Sequence, residues 1–187
     1  MPISSSPNRY SAVAQGFHWI IAGLIVTQFT LAWMAEDLPL GMHKLALLAR
    51  HKSFGMTVLM LAVFRLLWRL FNRPPELPAG MSKTERVLAK GTHVLFYILL
   101  FAMPLTGWLM SSAKNYSVSW FGRFTWPDLI GKNEQAFELL KTTHQTLSWL
   151  LFALAVLHIL AALKHHFWNK DDVLRRMLPF TKSEKRS

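Results

Sequence analysis

Three stretches of this sequence carry no charged residue, and each is long enough to cross a lipid bilayer. Residues 10–35, 91–113 and 142–163 contain no Asp, Glu, Lys or Arg. A helix needs ~20 apolar residues to traverse the hydrocarbon core. In that medium only helices and closed barrels satisfy every backbone N–H and C=O. A fourth stretch, residues 45–70, is less clean: Arg50 and Lys52 stand near one end, Arg65 and Arg69 near the other, and residues 53–64 between them are uncharged. The blocks predict an all-α fold, an integral membrane four-helix bundle. The spans fall near 10–35, 45–71, 85–112 and 142–168, within one domain of residues 1–187. A secretory signal has an apolar core of only ~7–15 residues. The first block is longer, so it is read as a mature span.

The formal charge of +11 is a topology signal. Lys and Arg mark the cytoplasmic side of a membrane protein. Four spans put both termini and the 72–80 connection on one side. That side holds fourteen of the 21 Lys and Arg, against seven opposite, so both termini are expected in the cytoplasm. The basic residues flank the spans, which excludes nucleic acid as the partner they imply; membrane lipid is the surrounding medium. The 72–80 connection, NRPPELPAG, is too proline-rich to be helical throughout. Residues 114–141 form the long outer connection. Its Trp120, Phe121, Phe124 and Trp126 suit a segment lying on the membrane surface. Residues 181–187 read as a solvated basic tail. There is no cysteine, so thiolate metal sites, iron–sulfur clusters and covalent haem attachment are excluded.

Polar ionisable groups within spans are costly and mark function. His144 and His158 are fourteen residues apart on one helix. That is ~21 Å along the axis and about 40° in azimuth. Two imidazoles thus share a face at two depths, which suits two stacked cofactors better than one metal ion. His18 enters the first span at the depth of His158. His51 enters the second at the depth of His144. Each depth then holds imidazoles on different helices, as axial ligation of a haem from both faces requires. Gly55 below His51 and Gly16 beside His18 leave room for a flat ring. Arg65, fourteen residues after His51, shares its face at the inner depth. It either pairs with haem propionates or snorkels to the interface, as Arg69 is expected to do. His93 opens the third span and rivals His18 as inner ligand. His43, His165 and His166 read as surface residues, and Met103 as a packing residue.

The segments fall in a familiar order. F-H-W stands at 17–19, R-H-K-S-F-G at 50–55, V-F-R-L-L-W-R-L at 63–70, M-P-L-T-G at 103–107, T-H-Q-T-L from Thr143, and V-L-H-I-L-A-A-L-K-H-H-F-W from Val156. From about residue 10 to 179 the chain resembles the bacterial cytochrome b561 family, and within it the small stand-alone di-haem members of superoxide oxidase type. The resemblance implies two haem b groups, His18 and His158 holding the inner iron, His51 and His144 the outer. It implies residence in the bacterial inner membrane and electron exchange with quinone, ubiquinone being the acceptor.

An iron with both axial positions filled exchanges electrons through the haem edge. The functional expectation is single-electron transfer between an outer-face donor and membrane ubiquinone. Superoxide, oxidised to O2, is the donor the resemblance favours; another one-electron donor would serve the same chemistry. The catalytic residues of such an oxidoreductase are not named by the sequence. Two other readings remain at this level: an electron-transfer or anchor subunit for a partner hydrogenase or dehydrogenase, and a haem-free transporter using histidines as proton relays.

Overall fold

The computed structural model describes residues 9–78 and 80–179; the tail expected at 181–187 lies outside them. Four helices dominate it: α1 Ala12–Glu36, α2 Met42–Phe71, α3 Lys83–Ala113 and α4 Glu134–Lys164. Each is long and apolar enough to cross a membrane. The starts are set by capping chemistry. Ser11 and Asn133 accept from backbone N–H groups three residues on. Ser82 and Glu85 form a reciprocal capping box. α4 begins before its charge-free block because Asn133 caps it and Glu134 sits favourably in a first turn. Pro104 lies inside α3, where its missing N–H leaves one carbonyl without a helical partner.

The helices meet in chain order. α1 packs on α2, α2 on α3, and α3 on α4. Ile21, Val58, Ala62 and Leu100 join the first three in a small core. A second core of Leu31, Ala35 and Leu47 closes the α1–α2 end. Among the described residues, no close backbone approach joins α4 to α1 or α2. Across that gap only side chains meet, as Phe29 does Phe152 with ring centroids 5.6 Å apart. Large apolar residues such as Val26, Leu70 and Leu160 point outward and are exposed, as lipid contact requires.

The two ends are closed differently. At the end carrying both termini, here called the inner end, α4 finishes in a π-helical turn, His165–Asn169. Lys170 then reverses the chain with φ 53°. The following segment crosses the bundle: Arg9 donates to the Leu178 carbonyl at 2.9 Å, Gln15 to Arg176 at 3.1 Å and Trp19 to Met177 at 2.9 Å. Arg176 in turn reaches the Glu76 carbonyl at 2.6 Å.

At the outer end the long connection folds back on the bundle. It forms a hairpin, β1 Val118–Trp120 against β2 Phe124–Trp126. Trp120 Nε1 donates to Thr57 Oγ1 at 3.0 Å, and the Phe121 N–H to Ser53 Oγ at 3.0 Å. The Ser53 hydroxyl also lies 2.9 Å from the Ser119 carbonyl. Polar groups in α2 thus draw the hairpin onto the bundle, and of its four aromatic residues only Phe121 and Phe124 stay exposed. Ser53 is buried, so Ser53→Ala strands two hairpin groups. The expected cost is about 1–3 kcal/mol, read as a lowered Tm with hydrogen exchange accelerated first at residues 118–126.

Candidate functional site: two sets of facing histidines

His51 follows Met42 of α2 by nine residues and His144 follows Glu134 of α4 by ten. Both therefore sit at one outer depth. Their ring centroids are 6.4 Å apart with planes crossed at 75°. At the inner depth His18 of α1 faces His158 of α4 at 6.2 Å and 64°. His93 of α3 faces the same His158 at 6.1 Å and 67°. The structure therefore brings together all four histidines of the expected pairs, and adds His93 to the inner set at an equal distance.

These separations can be tested against a metal. An imidazole nitrogen binds a metal at ~2.0 Å and lies about 1.1 Å from its ring centre, so two imidazoles on opposite sides of one ion have centroids about 6.2 Å apart. The separations at both depths fit. They lie in the gap where α4 stands away from α1 and α2, which is the space a flat ring would enter. A Cβ added at Gly16, beside His18, would meet nothing within 4 Å. Gly55 behaves otherwise: a Cβ there would come within 3.0 Å of Gln28 Nε2. It serves the close approach of α1 to α2, not ring room, because the Gln28 side chain occupies that space. Among the described residues no cluster of three or more His, Cys, Asp or Glu surrounds a single ion. The donor set suits axial pairs better than a closed protein cage.

The outer rings are held by their backs. His51 Nδ1 lies 3.3 Å from the Gln28 carbonyl, and His144 Nδ1 lies 3.0 Å from Thr106 Oγ1. Gly107 makes room for this: a Cβ there would stand 3.3 Å from His144 Cε1. Sequence reasoning passed over Thr106 as a ring partner. The available signal was a threonine and a glycine adjacent in a span, just after Pro104.

Arg65 and Arg69 lie over one aromatic ring, their guanidinium carbons 5.6 and 5.5 Å from the Tyr97 centroid. Arg69 is exposed. Tyr10, Arg65, Trp68, Arg69, Asn72 and Tyr97 line a shallow, open pocket. Neither arginine is within ion-pair distance of a carboxylate among the described residues. Burial holds the Tyr10 phenol above its ordinary pKa, so it is a neutral hydrogen-bond donor at physiological pH. Two cations and a phenol give the pocket a positive lining with hydrogen-bond donors.

Of the three histidines read as surface residues, His165 is buried at 7 % exposure. The chain reversal at Lys170 brings Asp171 back to within 2.5 Å of its Nδ1. Tertiary folding at the helix end, invisible to periodicity, covers it. His43 is exposed and His166 partly so.

Residues 9–180 match the family described as prokaryotic cytochrome b561. The chain belongs to that family. Cytochrome b561 homolog 2 of Escherichia coli (strain K12) is 35 % identical to it over 187 residues, covering 98 % of each chain. A protein described as probable superoxide oxidase CybB, from Yersinia pestis, is 29 % identical over 91 % of this chain and 96 % of its own. Cytochrome b561 homolog 1 of the same Escherichia coli strain is 27 % identical over 92 % of this chain and 98 % of its own. This b561 protein is thus a multi-pass bacterial membrane protein built as a four-helix bundle. It binds b-type haem and carries electrons. Purified and reduced with dithionite, it is expected to show the sharp visible bands of six-coordinate low-spin b haem; a broad high-spin spectrum would contradict axial pairs of imidazoles.

Proposed function

We propose that this protein holds two haem b groups, His18 and His158 ligating one iron and His51 and His144 the other, and passes single electrons from superoxide at the outer face to ubiquinone. The observation that carries the reading is the pair of imidazole separations, 6.2 and 6.4 Å, repeated at two depths across one gap. Haem so ligated supplies one-electron exchange at its ring edge. The chain's own residues supply the rest. Arg65, with Arg69 and Tyr10, offers the inner propionates a charged pocket. The outer end carries Lys52, whose ammonium lies 5.6 Å from the Tyr116 centroid. With Lys141 it gives an approaching anion a local attraction. The relative described as a probable superoxide oxidase supports this donor. The fourteen-to-seven bias of basic residues supports cytoplasmic termini.

The ligand set has a direct check. His51→Ala or His144→Ala is expected to remove one haem, halving haem content per protein and leaving most of the inner signal. His18→Ala is expected to remove the other. Loss of haem in His93→Ala but not in His18→Ala would reassign the inner ligand. Arg65→Ala is expected to lower the inner potential, since a nearby cation favours the reduced state; an unchanged potential would return Arg65 to an interfacial role.

The donor is tested by rapid mixing of oxidised protein with superoxide while the haem bands are followed. Reduction that slows steeply with salt, then reverses on adding ubiquinone, is the expected course. Vesicles of the two orientations report which face accepts the donor. Bands that stay oxidised with superoxide, yet reduce with quinol or a dehydrogenase, would favour an electron-transfer subunit.

A further inference from the structure

The outer and inner histidines differ in what stands behind them. A threonine hydroxyl has one proton. Thr106 Oγ1 lies 2.9 Å from the Met103 carbonyl, to which it donates. Its oxygen is then left to accept, at 3.0 Å, from His144 Nδ1–H. This puts the His144 proton on Nδ1 and leaves the Nε2 lone pair free on the side away from α3. His51 is matched by the Gln28 carbonyl at 3.3 Å from its own Nδ1. An imidazole that donates its far N–H to an oxygen becomes a more basic ligand. A more basic ligand stabilises ferric over ferrous iron.

The inner set faces opposite electrostatics. Arg65 and Arg69 stand over Tyr97 toward the inner end, and neither has a carboxylate within ion-pair distance among the described residues. Cations that pair with the propionates of a haem favour its reduced form. The outer set has a cation too, since Lys52 adjoins His51. It is one cation, against the two that lie over Tyr97 at the inner end.

We infer that Thr106 is a positioning residue, which fixes the His144 tautomer and poises the outer haem at a lower potential than the inner one, so that electrons run inward. This rests on the ligand pairs proposed above. Each transfer oxidises the outer ferrous iron and reduces the inner ferric iron by one electron, with no proton or bond change required.

The test is a redox titration of the purified holoprotein, the two haems assigned by their loss in His51→Ala and His18→Ala. The outer midpoint is expected below the inner. Thr106→Val, which keeps the shape and removes the acceptor, is expected to raise the outer midpoint and leave the inner unmoved. A lost hydrogen bond corresponds to roughly fivefold to tenfold in electron affinity, and tenfold is 59 mV for a one-electron couple. Thr106→Ser is expected to restore the wild-type value. The inference is overturned by an unmoved outer midpoint in Thr106→Val, by equal shifts in the valine and serine variants, or by an outer midpoint above the inner. If Thr106→Val cannot be isolated with haem, the order of the wild-type midpoints still decides the poise. Failure of the underlying reading looks different: His144→Ala would retain both haems.

Discussion

An imidazole held in hydrocarbon needs a partner for each of its two nitrogens, because no bulk water is there to supply one. Five histidines of this protein lie along its membrane-spanning helices and converge on one gap. The outer two answer the requirement on one side with protein oxygens, the Gln28 carbonyl and the Thr106 hydroxyl. In the proposed reading their other nitrogens bind the outer haem iron. Such a group cannot be accommodated by tight helix packing throughout. It needs space between backbones, and the bundle provides it by keeping α4 against α3 while α1 and α2 meet α4 only through side chains.

That arrangement explains why the ends of the bundle are so elaborately tied. Helices kept apart in the middle must be held at their termini. At the inner end the segment after Lys170 hydrogen-bonds to Arg9, Gln15 and Trp19, joining the end of the chain to its beginning. At the outer end Lys114 grips Glu134 with both carboxylate oxygens within 2.8 Å, linking α3 to α4. Ser53 and Thr57 hold the hairpin over α2. The hydrogen bond from Trp120 to Thr57 is typical: a polar atom on a spanning helix is satisfied by a side chain folding in from the connection.

Family membership and the separation of the rings bear on different things. The first establishes a b-type cytochrome of the membrane. The second is a property of this chain's own geometry, and it leaves His158 with two neighbours, His18 and His93, at nearly the same distance. A ring on α3 that approaches the inner site yet belongs to a third helix is well placed to contact a cofactor edge or a propionate.

The sequence by itself determined the four spans, because bilayer thickness sets a minimum apolar length that any reader can count. It also determined that His144 and His158 share a face, because helical pitch turns a spacing of fourteen into a direction, and that His51 and Arg65 do likewise. What it left open depended on how helices lie against one another. The equal claim of His93, the filling of the space at Gly55 by Gln28, and the sharing of Tyr97 by Arg65 and Arg69 all involve different helices. So does the Thr106 contact with His144. The hairpin at 118–126 and the burial of His165 under Asp171 arise where the chain reverses outside the regular helices. Periodicity reports the direction of a side chain about its own axis; only the tertiary structure decides what stands opposite it, because that depends on the distance and rotation between helices.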